Sequence, residues 1–169
     1  MNLLDDKIWK EFIRWLDTRY YDPDSGEWNR NVSRDDYTHS RYDFGNSYNL
    51  CMAIMGVLQR AGHRVTVIGA EANVMDQYRS NSIGLDWLLV DDRYIIDPWG
   101  FSYEAQRRIV YDINDPADQD IISALFPPRQ FWEPGRPSDE LIEIGVRVFD
   151  DFMMPRRAVD NLLGDETEP

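Results

Sequence analysis

The chain has 169 residues, of which 43% are hydrophobic and 13% aromatic. That balance suits one folded domain with a full core and excludes an intrinsically disordered chain. The net charge of −13 and a pI near 4.4 set it against phosphate backbones and anionic membranes. They argue for no nucleic acid among its partners and for a basic protein as its natural electrostatic partner.

No apolar run is long enough to cross a bilayer, and Met1 to Asp6 carries no basic region followed by a hydrophobic stretch. With a single cysteine, which has no disulfide partner, the expectation is a cytoplasmic protein with no membrane anchor.

From Leu4 to Tyr20, Leu4, Ile8, Phe12, Trp15 and Leu16 share one face, which predicts an amphipathic helix. Asp22-Pro23-Asp24-Ser25-Gly26 is a turn, and the polar stretch that continues to Gly45 holds scattered Trp28, Tyr37, Tyr42 and Phe44. Residues 22–45 are therefore expected to form a lid-like loop that folds over the next helix. Asn46 to Arg60 reads as a buried helix, capped by Asn46 or Ser47 and closed by Gly62.

Val65 to Ile68 is expected to be a strand, and Glu71 to Ser82 a loop or one short helix. Ile83 to Val90 and Tyr94 to Ile96 flank Asp91-Asp92-Arg93 as a β-hairpin, and Pro98 stops the second strand. Pro116 starts a helix to Leu125, and Pro127 to Ser138 reads as an irregular connector. Leu141 to Phe149 fits both periods. Its β-branched residues and Gly145 tip it to strand, before a short helix from Pro155 to Leu163. The expected organisation is one α+β domain over 1–164, with a core at 46–100 and an acidic tail at 165–169. In it the helix carrying Cys51 packs on an antiparallel sheet.

Cys51 lies near the start of its helix, where unpaired amides and the macrodipole stabilise a nucleophilic thiolate. The alternative is a small buried hydrophobe. In chain order there follow a strand, then Leu85-Asp86-Trp87, then a hairpin to a strand ending in Asp97-Pro98. This set, covering about Asn46 to Gly100, resembles the transglutaminase-like superfamily, the circularly permuted papain-like cysteine hydrolases.

The resemblance implies a papain-like core and acyl transfer or amide hydrolysis on a peptide or protein substrate, by a peptidase, amidase or deamidase chemistry. It makes Cys51 the nucleophile and Asp97 the residue that orients the base, since a thiol near its free pKa needs a neighbouring imidazole held in one tautomer. The family histidine is missing: alignment on Trp87 puts Leu85 in its place, and a one-residue shift puts Asp86 there. Leucine moves no proton, and two carboxylates beside a thiol oppose its ionisation.

His63 follows the helix-closing glycine and belongs to the far end of the helix. His39, in the 22–45 loop, is the one imidazole able to return to Cys51; it is the candidate surrogate base, with an exposed loop histidine as the alternative. Asp86, Trp87 and Trp99 are the candidate substrate-contacting residues, with a core role as the alternative for the two tryptophans. One cysteine and two scattered histidines make no zinc site, the carboxylates have no calcium-loop spacing, and no glycine-rich phosphate loop occurs. No metal and no cofactor are expected. The competing reading is a catalytically degenerate member, a pseudoenzyme acting as an acidic protein-binding, inhibitor or immunity-type protein.

Overall fold

In the computed structural model, which describes residues 1–22, 27–28, 46–78, 84–103 and 107–164, the N-terminal helix α1 spans Asp6–Tyr20. Trp9, Phe12, Ile13 and Leu16 are its fully buried residues. The buried stripe thus runs through Trp9 and Ile13, while Leu4, Ile8 and Trp15 pack at its margin. A short antiparallel pair follows, β1 (Tyr21–Asp22) with β2 (Glu27–Trp28). It flanks the expected turn, whose residues 23–26 lie outside the described residues with 29–45, His39 included.

Helix α2 (Ser47–Arg60) begins where Asn46 Oδ1 accepts a hydrogen bond from the Asn49 amide at 2.8 Å. It ends at Gly62, whose φ of +93° is the left-handed conformation that closes helices. Every residue from Leu50 to Leu58 is buried. A helix that is apolar all round must be covered on all sides, and α2 lies between the sheet and the C-terminal helix α6 (Asp139–Gly164).

The main sheet has five strands in the order β6-β5-β4-β3-β7, and every neighbouring pair is antiparallel. These are β3 (Val65–Gly69), β4 (Trp87–Val90), β5 (Tyr94–Ile96), β6 (Val110–Asp112) and β7 (Glu133–Pro134). Asp91 and Asp92 turn β4 into β5 with left-handed backbones, φ 53° and 55°, conformations that aspartate tolerates better than most residues. The mixed architecture agrees with the expected α+β class. Strand alternation divides the core in two. Val65, Val67, Leu88, Val90, Ile96 and Val110 face α2, whereas Ile68, Trp87, Leu89, Ile95 and Tyr111 face away from it.

Between these elements lie α3 (Ala72–Met75), α4 (Pro98–Tyr103) and α5 (Pro116–Leu125), the last capped by Asp115 Oδ1 on the Ala117 amide at 2.9 Å. Three expectations need correction. First, of the strand expected over Ile83 to Val90, Ile83 lies outside the described residues, Leu85 and Asp86 form a bend, and Trp87 to Val90 forms the strand. Second, the expected connector after α5 contains a 3-10 turn, Arg129–Phe131, and the edge strand β7. Pro134 is allowed there because an edge strand leaves one row of amides unpaired.

Third, Leu141 to Phe149 is helix, and Pro155 lies inside α6 instead of starting a helix of its own. Gly145, which tipped the sequence toward strand, has a different purpose. A Cβ on it would stand 2.2 Å from Ala53 Cα, so its bare Cα is what lets α6 cross directly on α2. No helix among the described residues is long and apolar enough to cross a membrane.

Candidate functional site at the start of helix α2

The first residue of α2, Ser47, is buried and donates its hydroxyl to Asp86 Oδ2 at 3.2 Å. One turn further, Cys51 is fully buried, and its thiol donates to the Asp86 backbone carbonyl at 3.4 Å. Asn46 is the cap, so Cys51 sits in the second turn, past the unpaired amides. The macrodipole falls off within the first turn, and the expected stabilisation of a thiolate by the helix start is largely absent.

Asp97 follows β5 and is 1% exposed. Its Oδ1 accepts the amides of Gly84 at 3.3 Å and Gly100 at 3.4 Å, and the Trp99 amide also bonds to it. Gly84 is the hub of the cluster. A Cβ at this position would lie 2.7 Å from the Asp86 carbonyl oxygen, 3.0 Å from Ser47 Cβ and 3.1 Å from Asp97 Oδ1. Through the Asp86 carbonyl, which accepts the thiol, this packing brings Cys51, Ser47, Asp86 and Asp97 around Gly84.

No imidazole lies beside the thiol among the described residues. Asp86 does, with its backbone on the thiol and its carboxylate on Ser47. Leu85, the alternative under the other alignment, is 49% exposed. His63 stands at the opposite end of α2, its Nδ1 2.7 Å from Asp91 Oδ2.

The electrostatics follow from this arrangement. Burial, then Asp97, then Asp86 push the Cys51 thiol well above its ordinary pKa. Burial pushes Asp97 up to about 6 against the opposing pull of the Gly84 and Gly100 amides. Asp86 is raised by burial, against the Ser47 hydroxyl, and Tyr48 by burial and then by Asp86. The thiol is held protonated, the reverse of what nucleophilic attack requires.

Of the candidate substrate-contacting residues, only Asp86 lies beside Cys51. Trp87 is fully buried on the face of the sheet turned away from α2, against Phe126 and Trp132 with ring centroids 5.4 and 5.8 Å away. Asp86, in the bend before β4, bonds to the start of α2, while Trp87 opens the strand on the other face. Trp99 packs half-buried against the main core, and its contribution to the site is its backbone amide on Asp97.

Ser47 and Gly84 belong to the cluster but were not singled out from the sequence. A serine after a cap and a glycine before a strand both have ordinary local explanations. Among the described residues, no three His, Cys, Asp or Glu side chains group so as to hold a metal ion. No family model, no curated protein and no solved structure matches the chain.

Proposed function

We propose that this protein is a catalytically silent relative of the transglutaminase-like cysteine hydrolases that acts by binding a basic protein partner, in the manner of an inhibitor or immunity protein. The papain-like character of the core is part of this reading. Its support is the order of elements: α2 with Cys51, then β3, then Asp86-Trp87 leading β4, then β5 running into Asp97-Pro98.

The observation that carries the proposal is the state of Cys51. Its thiol is wholly buried, donates to a carbonyl and faces two carboxylates. Acyl transfer by cysteine needs a thiolate and a group to protonate the leaving amine. Here the carboxylates oppose the first, and no described imidazole supplies the second. The net charge of −13 gives the surface long-range attraction for a cationic partner.

Alkylation of Cys51 by iodoacetamide across pH tests the reading. The native protein should resist modification and react only as it unfolds, while the denatured chain titrates near ~8.5. A native thiol reacting with a midpoint well below that value would restore the enzyme reading, with His39 as the first residue to replace. The complementary variant is Asp86→His, which returns an imidazole beside the thiol. Measurable hydrolysis of an activated ester by this variant, absent in the parent, would support a silenced site on a hydrolase scaffold.

A further inference from the structure

On the face of the sheet away from Cys51, a cavity of about 370 Å³ opens between α5 and the 3-10 turn. Ile122, Phe126, Pro127 and Trp132 form apolar walls, and Ser123 and Arg129 contribute polar groups. Ligand pockets of roughly 300–1,000 Å³ have this character, mostly apolar with a few placed polar atoms. We propose that the cavity binds a small aromatic carboxylate, its ring against Trp132 and Phe126 and its carboxylate on Arg129.

Two observations point there. The first is charge. Arg60, Arg64, Arg93, Arg108, Arg147 and Arg156 each pair with an aspartate or glutamate. Arg129 has no carboxylate partner among the described residues; its guanidinium lies 5.8 Å above the Trp132 ring. Beside an aromatic wall, a guanidinium with no carboxylate partner among the described residues is suited to bidentate recognition of a carboxylate.

The second is preorganisation. The Trp132 indole is fixed by its N–H bond to the Pro127 carbonyl at 2.8 Å, and Phe126 is buried with its ring near Trp87 and Tyr111. The flat wall exists before any ligand arrives, so ordering it adds little to the cost of binding.

The site lies across the sheet from Cys51, so it stands whether or not that cysteine is active. Calorimetric titration of the full chain with indole-3-acetate and indole-3-acetamide tests it. A second pair of probes, a short N-acetylated peptide ending in a free or an amidated C-terminal Trp, distinguishes a free metabolite from a chain terminus. At least one of the two acids should bind saturably. Its amide should bind about tenfold more weakly, and Arg129→Gln should lose the same factor.

Arg129 is exposed, so that variant should melt with the parent. Ser123→Phe, which fills the cavity from an exposed position, should abolish binding. The proposal is overturned if neither acid binds saturably, if acid and amide bind equally, or if Arg129→Gln keeps full affinity.

Discussion

The two ends of helix α2 carry, between them, the ingredients of a thiol hydrolase, and the helix keeps them apart. At its start are the buried thiol of Cys51 and carboxylate of Asp97, with the half-buried carboxylate of Asp86, packed around Gly84. At its finish are the imidazole of His63 and the carboxylate of Asp91, paired at the surface. Nine steps of helix run from Cys51 to Arg60, about 13 Å along the axis, and His63 lies beyond the closing Gly62. The same residue types that would make a catalytic triad in one place make a neutralised thiol and an ordinary ion pair in two. Placement therefore decides the chemistry here, more than inventory does.

The comparison depends on α2 being a rigid spacer, and its strongest test is Gly145. Any side chain there meets Ala53 Cα at 2.2 Å, a backbone atom that cannot turn aside. Gly145→Ala should cost about 3 kcal/mol or more, because α6 must lift from the middle of α2. Chemical denaturation reads the loss, and Cys51 alkylation should rise in parallel as the helix loosens. A variant as stable as the parent would mean that the two helices do not cross this closely.

Gly84→Ala acts at one end alone. Its methyl group would meet the Asp86 carbonyl oxygen at 2.7 Å, so the cluster must open at a cost of about 2 kcal/mol. Cys51 should become accessible to iodoacetamide below the global unfolding transition. The His63–Asp91 pair should remain, visible as unchanged ring resonances of His63. Movement of both ends together would contradict their independence.

Asp97 sharpens the contrast through pH. Its folded-state pKa of about 6 exceeds the unfolded value near 3.9, so the folded protein binds the proton more tightly than the unfolded chain. Its stabilising contribution is fully present below about pH 4 and is lost as pH rises through 6. Across that window the parent should lose about 2 kcal/mol relative to Asp97→Asn, measured as the difference between their denaturation profiles.

Asp91 has the opposite sign. The hydrogen bonds from His63 and then from the Arg64 amide hold its carboxyl below the usual range, so its support is present at neutral pH and lost in acid. A parent-minus-variant curve that is flat between pH 4 and 7 would show that Asp97 is not buried as a charge.

How much of this was legible beforehand varies by element. The α2 segment and the β4–β5 hairpin could be read because their signals are local: an asparagine cap, a closing glycine, alternating residues around two aspartates. The long helix α6 could not. Ile142, Ile144, Val146 and Val148 alternate as a strand does, and only the tertiary partner Ala53 gives Gly145 its helical purpose. At the candidate site, chain order suggested Cys51, Asp86 and Asp97. Which face each residue took was not readable, since a shift of one residue exchanges Asp86 and Trp87 across the sheet. Of its two expected roles, Trp87 takes the core one, on the opposite face.

The smallest effect belongs to His63. If α2 holds its two ends apart as separate systems, His63→Ala should change stability by no more than ~0.5 kcal/mol and leave Cys51 alkylation unchanged at every pH. The pair it forms is partly exposed, with Asp91 at 41%, so water screens most of its energy. Asp91 also keeps a second partner in the variant, because its Oδ1 still accepts the Arg64 amide at 2.9 Å. The turn beside it is held further by Arg64 on Asp92 at 2.6 Å. Denaturation at pH 7 and alkylation kinetics measure both quantities on one sample. A loss above about 1.5 kcal/mol would make the imidazole a structural anchor of the helix end. A changed alkylation rate without a changed stability would couple the two ends, and the division that separates thiol from imidazole would then fail.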